Sequence, residues 1–280
     1  MLSRTSGALV RAFLVVLMVV TPALMVRETG QDTTQIVALF AVLAAIMVVF
    51  EYASTYPGLI EFRDAPPYNR IRFFSLFATV FLLSLLVRGA DTSSDLTRLV
   101  QLIGERIGEA IDFPYSPVNL VVLMLPADAP AHQVNLLRSA AGVSYLISLI
   151  SLAYFLTILK VRNWPNCKGA FNVWVNMPTF DPTAGGDVVY RLERDAAINI
   201  ALGFLLPFLT PALVKFAASI FGTISIANEH TMIWTIAAWA FLPAGLFMRG
   251  IAMGRIAAMI KSERSRRAAE NDEQSRWQAV

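Results

Sequence analysis

SAAGVSYLISLISLAYFLTIL, Ser139–Leu159, runs for 21 residues without a charge. About 20 apolar residues in a helix match the hydrocarbon thickness of a bilayer. Lys160 and Arg162 follow at once, as they do where a helix stops on the cytoplasmic side. This stretch decides the class, and five others repeat its pattern.

Ala12–Val26, Ile36–Phe50 and Phe73–Val87 each have an uncharged core of 15 residues, short of the ~20 usually needed to cross. Their flanks can extend them by snorkelling and interfacial anchoring. The extending residues are Arg11 before the first, Glu51, Tyr52 and Tyr56 after the second, and Tyr68, Arg70 and Arg72 before the third. Ala196–Ile226 carries one charge, Lys215, in 31 residues, and Met232–Met248 ends at Arg249. The expected spans are 8–26, 35–53, 71–88, 138–160, 196–218 and 231–249. The fold class is therefore all-α: a polytopic integral membrane protein with six transmembrane helices inside residues 1–261, and a basic tail over 262–280.

Composition agrees. A chain that is 56% hydrophobic and 15% charged, with mean hydropathy +0.58, has too little polar surface to clothe a soluble globule. With the N-terminus placed in the cytoplasm, 17 of the 23 Lys and Arg fall on cytoplasmic segments and 6 on the opposite side. The positive-inside rule then expects both termini in the cytoplasm of a bacterial-type inner (plasma) membrane. The net charge of +3 forms no basic stripe on a soluble surface, so nucleic acid is not an expected partner. Cys167 is the only cysteine, so no intramolecular disulfide can form, and it falls in an expected cytoplasmic loop. The first run resembles a signal peptide, but no small-x-small site precedes Arg27, so an uncleaved anchor is expected.

Two connections are longer than turns. The external one, 89–137, contains an amphipathic helix over 95–112. Arg98, Gln101, Glu105, Glu109 and Asp112 share one side at 100° per residue. Leu96, Leu99, Val100, Ile103, Ile107 and Ile111 share the other, and Leu102 alone falls on the wrong side. Ser94 or Asp95 can cap its start. The helix is expected to lie flat on the outer leaflet or on the bundle mouth. After it, Val118–Leu125 lies between Pro117 and Pro126, too short to cross, and reads as a re-entrant or interfacial piece. The cytoplasmic connection, 161–195, has turn signals at Asn163-Trp-Pro, Asp181-Pro and Gly185-Gly186 and reads as an irregular, partly packed loop. The tail from Ser262 reads as helical at first and then frayed.

Motifs for soluble catalysis are absent: no phosphate loop, no H-E-x-x-H, no C-x-x-C, no G-x-S-x-G. The balance therefore leans away from an enzyme. Lys215 is the one charge inside its run, and Pro207 and Pro211 can interrupt that helix as in transporters. The bland alternative is that Lys215 snorkels at the outer interface. Asn199 lies 16 positions away, about 160° around a straight helix, so the two do not line one path.

His132 and His230, both on the expected outer side, are weak candidates for a metal or haem. Two exposed loop histidines would look the same, and no cofactor is expected apart from lipid. Glu105, Glu109 and Asp112 can hold a cation or simply form a solvated face. Gly250, Gly254 and Ala258 form a small-residue stripe for helix–helix contact, as do Ala38, Ala41 and Ala45, and Ser144, Ser148 and Ser151. Arg249, Arg255, Lys261, Arg264, Arg266 and Arg267 are expected to lie against anionic lipid.

These features lead to three functional expectations. The first is a non-catalytic accessory or scaffold subunit that packs against lipid and other membrane proteins, or against itself. The second is a small-solute transporter or channel using the fifth helix. The third is a membrane-embedded haem or metal protein.

Overall fold

The structure is a computed structural model of the 280-residue chain and describes residues 2–26, 31–91, 94–126, 128–165, 171–221 and 228–278. Cys167 lies outside the described residues. Among the described residues the chain is all helical, with nine helices and no strand, and six of the helices are long and apolar enough to cross a membrane. These six are α1 (Leu2–Met25), α2 (Gln31–Ala53), α3 (Tyr68–Asp91), α6 (Ala131–Val161), α8 (Val188–Phe221) and α9 (Glu229–Gln278). The three shorter helices are α4 (Asp95–Ile111), α5 (Pro117–Val122) and α7 (Val173–Asn176).

Each short apolar core found in the sequence sits inside a longer helix. α1, α2 and α3 take in 24, 23 and 24 residues because their charged and aromatic flanks continue the turn. The tail does not begin a new element. α9 runs 50 residues without a break from Glu229 through the basic stretch to Gln278, about 75 Å at 1.5 Å per residue. Pairs at helical spacing sustain its far half: Arg266 with Glu263 and Glu270, and Arg267 with Glu263.

α3 is the hub, packing on α1, α4, α6 and α9. α2 packs only on α1 among the described elements, and α8 lies against α9 and α5. Small residues decide the closest approaches. A Cβ at Gly250 would meet the Ala196 carbonyl oxygen at 2.7 Å, and one at Gly203 would meet the Pro243 carbonyl oxygen at 2.8 Å. The stripe that includes Gly250 is therefore the internal seam between α8 and α9. Gly254 sits looser, 3.8 Å from the Ala196 Cβ, and Ala258 is exposed. Ser148 donates to the Ala240 carbonyl oxygen at 3.0 Å, joining α6 to α9.

α4 divides its apolar face. Thr97, Gly104 and Gly108 are buried, and Val100, Ile107 and Ile111 pack against the core. Leu96, Leu99 and Ile103, with Leu102, remain exposed. Gly108 and Gly142 let α4 and α6 nearly touch, since a Cβ at Gly142 would fall 2.8 Å from the Gly108 Cα. Ser94 caps the helix with a reciprocal pair of bonds to Thr97. The helix thus docks on the bundle with one half of its apolar face and offers the other half to lipid. α5 covers the adjoining end, with Val118 and Val121 buried against the bundle.

The opposite end is closed by two loops. Trp164, Phe62, Tyr68 and Phe155 form one aromatic cluster with ring centroids 4.5–6.3 Å apart. The Trp164 indole donates to the Ala65 carbonyl oxygen at 3.1 Å. The backbone N–H groups of Phe62 and Asp64 donate to the backbone and side-chain oxygens of Asn176 at 2.6 and 3.0 Å. Residues 54–67, 162–165 and 171–187 are thereby stapled into a packed cap rather than left as loose connections.

Candidate functional site

α1 and α9 both pack on α3 but barely touch one another. The cleft between them is a cavity of about 1220 Å³ at the end of the bundle closed by the cap. Its apolar walls include Leu14 and Val15 of α1, Phe73 of α3, Leu206 of α8, and Leu246 of α9. Val10, Leu59, Phe74 and Leu242 line it and are also exposed on the outer surface, which places the mouth on the side of the bundle.

The polar rim is dominated by guanidinium groups. Among the described residues Arg11, Arg63, Arg70, Arg72 and Arg249 line the cavity, with Glu61 as the one carboxylate. Three of the five arginines are tied into the protein. Arg249 makes a two-pronged ion pair with Glu61 at 2.6 and 2.9 Å, and Thr179 donates to the same carboxylate at 2.5 Å. Arg63 donates to the carbonyl oxygens of Glu51, Ser54 and Thr55, capping the end of α2. Arg11 donates to the Gly7 carbonyl oxygen and lies 4.5 Å from the centre of the Tyr52 ring. Glu51, only 4% exposed, sits behind this rim. Its carboxylate accepts the backbone N–H groups of Gly58, Leu59 and Ile60, which fixes the loop that carries Glu61 and Arg63.

Arg72 is different. It lies one turn into α3, and its guanidinium is 5.5 Å from the centres of both the Tyr68 and Phe241 rings. Where it passes over Gly245, an Nη is 3.5 Å from where a Cβ would be. Its Nε is buried without a hydrogen-bond partner, as is Tyr68 Oη beside it. No ion pair engages Arg72 among the described residues. Arg70 stands exposed at the same rim. Chemically the arrangement is an apolar slot with a cationic rim, open to the side.

The candidates chosen from the sequence fall elsewhere. α8 runs through Pro207 and Pro211 as one helix, so the expected interruption is absent. The Trp239 indole donates to the Pro207 carbonyl oxygen, which Pro211 leaves without its helical donor, and the Thr210 hydroxyl adds a bond to that of Leu206. Lys215 is exposed on the outer surface, where its stem can snorkel. Asn199 is buried and spends its amide on the Asp195 carbonyl oxygen at 2.7 Å. These residues line no common path.

His132 is exposed, whereas His230 is 8% exposed with both ring nitrogens unpartnered. Among the described residues no three His, Cys, Asp or Glu side chains converge as metal ligands would. The carboxylate face of α4 is also broken up. Asp112 pairs with Arg138 at 2.6 Å and accepts from Asn119, and Glu109 faces Arg106 at 3.7 Å.

Of the six residues assigned to lipid, two turn inward. Arg249 reaches Glu61, and Arg255 donates to the Trp164 carbonyl oxygen at 3.2 Å. Arg264 ties the far half of α9 to Asp187 at 2.6 Å, and Arg266 and Arg267 pair with Glu263. Lys261 is exposed. The residues missed are Arg72, Tyr68 and Glu61. Their signal is that Tyr68 and Arg72 stand four apart at the start of a span, where each reads as an interfacial anchor when taken singly.

No family model, no curated protein and no solved structure matches this chain.

Proposed function

We propose that this is a non-catalytic accessory protein of the membrane that holds a lipid or lipid-like amphiphile in the lateral cavity between α1 and α9. The observation that carries the proposal is the cavity itself: about 1220 Å³, with apolar walls, a cationic rim and a mouth on the side of the bundle. That volume exceeds the roughly 300–1,000 Å³ of drug-sized sites, and a chain-bearing molecule fills it more readily than a small solute. The charge bias of the loops supports placing the arginine rim on the cytoplasmic side of a bacterial-type inner membrane, with both termini there. Contact with other membrane proteins would use the faces left exposed, above all that of α2, which among the described elements packs only on α1.

Native mass spectrometry after mild detergent extraction tests this. The wild-type chain is expected to carry one retained amphiphile, and Leu14→Trp, which narrows the slot, to retain it less. Equal retention by both proteins would remove the cavity from the account. Transport through α8 has less support, because Lys215, Asn199 and the prolines line no path.

A further inference from the structure

We infer that the headgroup taken by this cavity is net-anionic, a phosphodiester with no compensating cation, and that Arg72 is its anchor; the inference rests on the amphiphile-holding function proposed above. The charges around the cavity support this choice. Five arginines and one carboxylate line the cavity. The nearest further acids are already committed, Glu51 to three backbone N–H groups and Asp64 to Arg63. Even with Asp195, which acts on Arg249, the five arginines outnumber these four acids, and the rim keeps an excess of positive charge.

Arg72 sharpens the inference. A guanidinium carries five N–H donors, and one left unmatched in a low-dielectric site is costly. Its Nε is nonetheless buried without an acceptor, as Tyr68 Oη is without a partner. Two aromatic faces and the gap at Gly245 hold the planar group in place. They do not satisfy its donors, and among the described residues no carboxylate pairs with it. Phosphate oxygens entering from the rim can accept from such a fork in two-pronged fashion. Arg70, exposed at the same rim, is placed to add a second cation. The acyl chains then run along Leu14, Val15 and Leu246 toward the lipid-facing mouth. The occupant is thus a membrane phospholipid. A zwitterionic headgroup would bring its own cation against the arginines and lose most of the gain.

The test uses the full chain in detergent, titrated in separate runs with phosphatidylglycerol, phosphatidylcholine and inorganic phosphate, and read by native mass spectrometry. One phosphatidylglycerol is expected to bind about tenfold more tightly than phosphatidylcholine, the size of one charge-assisted contact. Arg72→Gln is expected to erase that preference, so that phosphatidylglycerol binds no more tightly than phosphatidylcholine. Arg70→Gln, an exposed change that cannot unfold the core, should reduce the preference severalfold and decides the matter if Arg72→Gln does not fold. Equal binding of the two lipids, with no change in either variant, would overturn the anionic assignment while leaving the amphiphile-holding function intact. Failure of any lipid to bind would overturn that function as well. Arg72-dependent binding of inorganic phosphate alone, or a dimer that occludes the cavity, would equally contradict a phospholipid occupant.

Discussion

The indole Nε1 of Trp239 on α9 donates to the carbonyl oxygen of Pro207 on α8 at 3.2 Å. In a helix that oxygen would accept from the residue four positions on, which is Pro211 and has no N–H. The bond therefore mends the helix and pins α8 to α9 at the same point.

Removing the indole N–H should cost most where the proline creates the need. Trp239→Phe is expected to lower stability by ~1 kcal/mol in the native background. The cost should shrink when Pro211→Ala restores the helical donor. Thermal unfolding in detergent of the four proteins in this cycle gives the coupling directly. An identical cost in both backgrounds would mean that Trp239 contributes packing alone.

Gly250 and Gly254 look equivalent in the sequence, but the structure separates them. Gly250→Ala drives a Cβ against backbone on two sides, the Ala196 carbonyl oxygen at 2.7 Å and the Ile200 nitrogen at 3.0 Å. A cost of ~1–3 kcal/mol is expected, because helices rather than rotamers must move. Gly254→Ala, with 3.8 Å of clearance, should be neutral or slightly stabilising through helix propensity. Comparing the unfolding temperatures of the two variants checks this, and equal effects would contradict the seam.

Asp187 ties the cap loop to Arg264 of α9 at 2.6 Å. The bond from Arg264 holds the Asp187 carboxyl below its ordinary value of 3.8. A lowered folded-state value means the tie is fully present above the ordinary value and is lost as pH falls through the depressed one. The loop should thus stay protected from hydrogen exchange at neutral pH and loosen only in strong acid. Asp187→Asn should show the loosened exchange at every pH. Exchange that is insensitive to both acid and substitution would show that the tie contributes nothing.

Lys215 is exposed near the far end of α8. Lys215→Ala should change stability by no more than ~0.5 kcal/mol and leave lipid retention unaltered. Loss of either would show a buried role that the observed placement does not give it.

The six spans were legible because a bilayer demands about 20 apolar residues in a row, a constraint local enough to see one segment at a time. The amphipathic helix was legible for the same reason, with its cap narrowed to Ser94 or Asp95, of which the structure uses Ser94. What escaped depends on contacts between distant segments. Glu61 and Arg249 are 188 positions apart, so Arg249 read as one basic residue among six beside lipid. Gly104 and Gly108 share the face that docks on α6, yet the docking shows only once Gly142 is placed against them. Pro207 and Pro211 pointed to a break because a sequence does not reveal the indole that repairs it. The cavity follows from two helices that both pack on a third and barely on one another, a relationship no single stretch records.

Photocrosslinking with phosphatidylglycerol that carries a diazirine on its acyl chain tests the central claim most directly, with the adducts mapped by peptide mass spectrometry. Adducts should concentrate on Leu14, Val15 and Leu246 in the slot, and Leu14→Trp, which narrows it, should reduce them. Adducts spread over the outward faces of α2 and α8 in proportion to exposed area, and unchanged by Leu14→Trp, would show that the lipid only bathes the bundle and that the cavity holds nothing.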